Sequence, residues 1–176
     1  MVSKIRRVIT GHDAEGRSTV LFDGYATNVK EMESMPGLAL TDLWETDVSP
    51  ADNRSSADAV VRPVRLEPPS GGSIFRVVEF PPDGAWRGNS DVGKAFLSIG
   101  APTAHHDASS DPLMHKTATV DYLVVMKGEM HAILDTGEVL LKEGDVFVQR
   151  GTVHSWSVRG NQPCIIAAIL INAHPV

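Results

Sequence analysis

The stretch GDVFVQRGTVHSW, residues 144–156, decides how the rest of the chain reads. It holds one short run rich in β-branched and aromatic residues, 145–149, and opens a second, 153–158, with Arg150-Gly151 between them. Such runs on either side of a glycine are antiparallel strands joined by a turn. Side chains along a strand alternate faces. His154, Trp156 and Val158 therefore share a side, polar then aromatic then apolar, the mixture found in the wall of a small-molecule pocket. Trp156 is a pocket wall or a core aromatic on this reading.

Working outward, the same texture continues in both directions. Upstream lie 117–126, Lys127-Gly128, 129–134, the turn 135–137, 138–142 and Glu143-Gly144; downstream lie the turn 159–162 and 163–171. Six short strands in under sixty residues, nearly all turned at glycine, predict an antiparallel barrel or meander. Gly128, Gly144 and Gly151 are the turn residues, placed where φ is positive or backbone is crowded. On the first of these strands His115, Thr117, Thr119, Asp121, Leu123 and Val125 share one parity. A histidine and a carboxylate then stand at the polar end of an otherwise apolar inner row. Asp121 either joins the histidines or pairs with a backbone or arginine group.

The N-terminal part reads differently. Residues 5–10 and 18–22 flank a Gly/Asp turn and predict a hairpin. Residues 28–37 read as loop, 38–46 as strand, 49–58 as a polar loop where a lid would sit, and 60–66 as an edge strand broken by Pro63. Residues 73–80 form a strand stopped by Pro81 and Pro82. Its Arg76 and Glu79 lie on opposite faces, and the sequence does not say which looks inward. Residues 91–99 give the one helix, with Asp91 as N-cap and Gly100 at its end.

Composition closes off several classes. The 176 residues fit one domain, with 1–72 as N-terminal strands and loops and 73–176 as the barrel core. A net charge of −6 with scattered Lys and Arg argues against a nucleic-acid partner. The longest apolar run, residues 164–171, is far too short to span a bilayer, so no membrane partner is expected. The single Cys164 forbids an internal disulfide and makes the cytoplasm the default location. With seven histidines and one cysteine, any metal site uses imidazole and carboxylate.

Residues 115–160 resemble the cupin superfamily. His115 and the step from Asp121 to Gly128 fit its first motif; Gly144, Gly151 and His154 fit its second. The resemblance implies an all-β double-stranded β-helix (a jelly roll) with an N-terminal strand extension and one short helix. It also implies a homodimer and a divalent metal (Zn, Fe, Mn or Ni) held by His115, Asp121 and His154. The motifs are thinned: Thr117 stands where a second His belongs, Asp121 where Glu belongs, and Gln149 where Pro belongs. Two histidines and one carboxylate still make a facial triad with open positions. Thr117 becomes a substrate contact or a donor that orients a ligand.

These residues define the expected site: His154, His115 and Asp121 as catalytic groups, with Thr117, Trp156 and Leu123 against a small-molecule substrate. The thinned ligand set favours a lyase, a dehydratase or decarboxylase in secondary metabolism, in which an ion polarises a substrate oxygen. Without a metal, His154 and Asp121 become the acid–base pair. An iron-dependent dioxygenase and a non-catalytic ligand-binding domain are the alternatives. His105 and His106 lie on a loop before the first motif, where either would close over the site as acid, base or ligand.

Overall fold

The computed structural model describes residues 2–88, 90–104 and 111–175. Two strands open the chain, β1 (Arg6–His12) and β2 (Ser18–Tyr25), paired as the expected hairpin. Then come β3 (Val29–Glu31), β4 (Ala39–Thr46), β5 (Ser73–Phe80) and the helix α1 (Val92–Ser98). The C-terminal half contributes β6 (Thr119–Lys127), β7 (Glu129–Leu134), β8 (Gly137–Lys142), β9 (Val146–Arg150), β10 (His154–Ser157) and β11 (Cys164–Asn172). All their pairings are antiparallel.

The six C-terminal strands do not form a meander. One sheet runs β3-β4-β5-β11-β6-β9 and the other β10-β7-β8, so the chain crosses between sheets after β6, β8, β9 and β10. Two facing sheets linked by such crossings are a jelly roll, the expected double-stranded β-helix. Turn spacing alone does not separate the two topologies, because each short connection serves a hairpin or a crossing equally well.

Glycine makes the tightest of these connections possible. Gly128 sits at φ 80°, and a Cβ there would stand 2.8 Å from the Pro163 carbonyl oxygen. Only a residue without a side chain turns β6 into β7 under the start of β11.

The core fills the space between the sheets. Leu40, Val78, Leu123, Val125, Ile166, Ala168 and Leu170 come from the larger sheet; Met130, Ala132, Leu141 and Trp156 come from the smaller. One open end of the barrel is closed by α1, through Val92, Ala95 and Phe96, and by Met32 and Met35. Asp91 caps α1 by accepting from the Lys94 amide at 2.9 Å. On the outer face of the larger sheet a second cluster, Leu43, Val77 and Ile165, packs under Ile5 and Ala26 of the N-terminal segment.

Two expectations are corrected. Residues 28–37 are not all loop, since β3 pairs with β4 there. Residues 60–66 are not a strand. Pro63 removes a donor, and side chains hold the segment instead: Arg76 Nη2 donates to the Arg65 carbonyl at 2.5 Å, and Arg62 Nη1 bonds Asp42 at 2.9 Å. The polar loop 49–58 is exposed, and its end is tied to β1 by the Arg7–Asp58 ion pair. Among the described residues no helix is long and apolar enough to cross a membrane.

Candidate active site

His115 and His154 are neighbours because the backbone makes them so. His115 lies outside the named strands, in an isolated bridge to His154, with each amide donating to the other's carbonyl at 2.9 Å. The segment from His115 to Thr119 thus leaves the smaller sheet and enters the larger. Its alternation survives the crossing: His115, Thr117, Thr119, Asp121, Leu123 and Val125 are all buried. The imidazole ring centres stand 4.2 Å apart, with Phe96 5.1 Å from His115 and Trp156 5.2 Å from His154.

Backbone carbonyls fix both rings. His115 Nδ1 donates to the Leu113 carbonyl at 2.7 Å, and His154 Nδ1 donates to the Thr152 carbonyl at 3.0 Å. A carbonyl can only accept, so the N–H of each neutral ring is at Nδ1 and the lone pair at Nε2. Gln149 supports the second ring at one remove, since its Nε2 donates to the same Thr152 carbonyl at 3.0 Å and to the Thr152 hydroxyl. Strand β10 is anchored from behind, Ser155 to Asp111 and Ser157 to Asp83. Burial, then the nearby His115, holds His154 well below the usual imidazole range, so it is neutral at pH 7.

These side chains line a cavity of about 110 Å³ between the sheets. All six residues expected at the site reach it: His115, Thr117, Asp121, Leu123, His154 and Trp156. Thr117 and Thr119 share a 2.7 Å hydroxyl contact, and Thr119 in turn bonds Asp121. Burial pushes the Asp121 carboxyl up to about 6, against the opposing pull of Thr119 and Arg76. Its Oδ1 is buried without a protein partner.

A metal centre needs converging donors. Two imidazoles anchored through Nδ1 are how metal-binding histidines are held. Yet among the described residues no three His, Cys, Asp or Glu side chains come together as a ligand set. Asp121 belongs with Thr119 and Arg76 instead. The expected His115–Asp121–His154 triad therefore does not fit a three-ligand ion. His105 and His106 lie outside the described residues.

Several lining residues escaped the sequence reading. Arg76 is the member of the Arg76/Glu79 pair that faces the cavity; Glu79 is buried on the other side, where the Ser3 amide donates to it. Met32 and Met35 come from the stretch read as loop, and their three-residue spacing was the available signal. Phe96 and Ile99 follow from the apolar face of α1.

The molecule is thus a double-stranded β-helix domain that encloses a mostly apolar pocket with paired histidines. No family model matches the chain. It is 33% identical over 162 residues to phomopsin biosynthesis cluster protein C' of Diaporthe leptostromiformis, covering 88% of this chain and 71% of that protein. It is 28% identical over 163 residues to the cupin-domain-containing oxidoreductase srdD of Neurospora crassa, covering 90% and 69%. The cupin domain of Schizosaccharomyces pombe Cnp3 superposes with a TM-score of 0.48 at 11% identity, over 97% of this chain and 89% of that one. This chain belongs to the cupin superfamily.

Proposed function

We propose that the chain is a small-molecule enzyme of secondary metabolism that eliminates water or carbon dioxide by acid–base chemistry. The observation that carries the reading is a neutral, Nδ1-anchored His154 sharing one apolar cavity with a carboxyl that burial keeps near protonation. Burial moves the two groups in opposite directions, so the imidazole stays a free base while the carboxyl keeps its proton to a higher pH than usual, and they divide into base and acid. In a dehydration, His154 Nε2 takes a proton from the carbon beside a substrate carbonyl. Protonated Asp121 gives its proton to the β-hydroxyl, which leaves as water while the C=C bond forms. The proton on His154 then returns to Asp121 through solvent, and the balance is neutral. Thr117 and Thr119 orient the Asp121 carboxyl, and Trp156 and Leu123 exclude water.

The reading is tested in D2O with aromatic and aliphatic β-hydroxy carbonyl compounds, followed by NMR. Deuterium exchange beside the carbonyl and formation of the unsaturated product are expected from the wild type and not from His154→Ala. Equal behaviour of the two proteins removes the reading.

A second reading is favoured by the names of several relatives, which are cupin-domain-containing oxidoreductases. An oxidoreductase needs a two-electron partner. Oxygen uptake with catechol or diketone substrates, together with elemental analysis of the purified protein, distinguishes this reading from the first.

A homodimer also belongs to the proposal. Phe75, Ile169, Tyr122 and Val148 form one register row across β5, β11, β6 and β9 on the outer face, with Val124, Met126 and Val146 beside it, and all seven are exposed. The neighbouring half of that face is already covered by Ile5 and Ala26. A second copy covering the rest would complete the same layer. A cytoplasmic home is proposed with it, since the one cysteine is buried and burial pushes its thiol up to about 12.

A further inference from the structure

The inner face of the larger sheet carries a polar band through an apolar core. In one register row stand Asp42 on β4, Arg76 on β5, Ala168 on β11 and Leu123 on β6; Asp121 lies two residues along β6 on the same face. Arg76 is only 1% exposed, and it lines the cavity.

A buried guanidinium needs both charge and hydrogen-bond partners. The far end of Arg76 has them: Nη2 donates to the Arg65 carbonyl and stands 3.0 Å from Asp42 Oδ1, and Nη1 lies 3.4 Å from the Leu66 carbonyl. Its Nε is buried with no protein hydrogen-bond partner, as is Asp121 Oδ1. The charge is also incompletely matched. Asp42 is shared with Arg62 at 2.9 Å; Arg62 also pairs with Glu45, and Glu45 with Arg65 at 2.5 Å. Three guanidinium groups thus share Asp42 and Glu45, and the third carboxylate that acts on Arg76 is Asp121 in the cavity, so a positive charge is left over whenever Asp121 holds its proton. The other charged or titratable groups around it are Asp121, His115 and His154 in the cavity, and Glu67, which is exposed and bonded by the Ala118 amide.

We propose that Arg76 is the oxyanion anchor of this pocket, taking the carboxylate of a small molecule whose remainder is apolar, or the enolate oxygen that forms from it during turnover. The carboxylate arm stands by itself; the enolate arm rests on the acid–base reading above. A bound anion disfavours a second negative charge beside it, so Asp121 meets the ligand as a neutral acid. The apolar remainder lies between Leu123, Phe96, Trp156 and Met35. At about 110 Å³ the cavity is somewhat smaller than the roughly 150 Å³ that takes a benzene ring, so a one-ring ligand fits with a small outward shift of the flexible Met32 and Met35 side chains.

Benzoate, benzyl alcohol and toluene are three one-ring probes that differ only in the head group and do not react. Their affinities for the full chain are measured by ligand-observed NMR and calorimetry. Wild type is expected to bind benzoate at least about tenfold more tightly than benzyl alcohol or toluene. Arg76→Met is expected to weaken benzoate by about 10- to 100-fold, the range of a hydrogen bond to a charged group, and to leave toluene within about twofold. Because that variant strands Asp42, the double variant Arg76→Met/Asp42→Leu repeats the measurement without an unpaired buried carboxylate. Arg76→Lys, which keeps the charge, is expected to recover part of the benzoate affinity. The proposal is overturned if wild type does not prefer benzoate, if it binds none of the probes, or if both Met variants keep wild-type benzoate affinity. Benzoate binding needs no turnover, so a failure of the acid–base reading leaves this result standing. Loss of benzoate preference with the His154-dependent deuterium exchange intact removes the anchor and keeps the reading.

Discussion

His154 draws its properties from chain segments on every side. The Thr152 carbonyl fixes its tautomer, Gln149 fixes Thr152, and the His115 bridge fixes its backbone. Replacing it with alanine is expected to lower the turnover rate by about 10²- to 10⁴-fold, as for a lost general base, with circular dichroism unchanged. Gln149→Ala is expected to act through His154, lowering kcat by about tenfold with KM nearly constant, because the ring loses its aim while the pocket wall stays. Asp121 carries a stability consequence of its own. Burial raises its carboxyl from 3.8 in the unfolded chain to about 6, so the folded state holds an extra proton between those values. Its contribution to stability is full below about pH 4 and is lost as pH rises through 6, a difference of about 3 kcal/mol. Asp121→Asn is therefore expected to raise stability in urea at pH 7 by about 2 kcal/mol, to leave it unchanged at pH 4, and to abolish turnover. His154 runs the other way. Its lowered value makes the fold lose stability as pH falls below about 6.5.

At the scale of elements, the strands of the C-terminal half are legible because each obeys one rule at a time. β6 through β11 alternate or run apolar, and glycines mark their turns. Gly128→Ala is expected to destabilise by about 1–3 kcal/mol in denaturant titration, since both its φ of 80° and the nearby Pro163 carbonyl oppose a Cβ. Phe96→Ala on α1 is expected to lose about 3 kcal/mol and to widen the pocket beside His115, which thermal unfolding and probe binding would read separately. Elements held by side chains were harder to read. Residues 60–66 have strand-like composition, but Arg76 of β5 and the segment's own Arg62, bonded to Asp42 of β4, hold them, and no local pattern reports that. The three-residue β3 exists only because β4 lies alongside it.

For the whole molecule, the exposed apolar outer face is where the proposed dimer is tested. Light scattering is expected to give a dimer mass, and Val146→Lys with Val148→Lys to give a monomer with its pocket intact. A wild-type monomer across the concentration range removes the dimer from the proposal. Both positions are exposed, Val146 at 72%, so the folded monomer tolerates lysine there.

The sequence by itself determined the class: an all-β cupin barrel, an N-terminal hairpin, one capped helix, and His115, Asp121 and His154 on inward rows. The strands and inward rows follow from period-2 alternation and glycine turns, the helix from its cap, and the cupin class from the resemblance of residues 115–160 to that family's motifs; all of these are local and leave a mark in the order of residues. Only the tertiary structure decided that Arg76 and not Glu79 faces the cavity, and that Asp121 keeps company with Thr119 and Arg76 more than with the histidines. It also decided that the strands cross between two sheets. The reason is physical: which face of β5 is inside depends on what packs against it, and both faces carry buried apolar residues, Val78 against the barrel core and Val77 under the N-terminal segment. A buried charge shows in the sequence only as a charge; its partners come from strands far away along the chain.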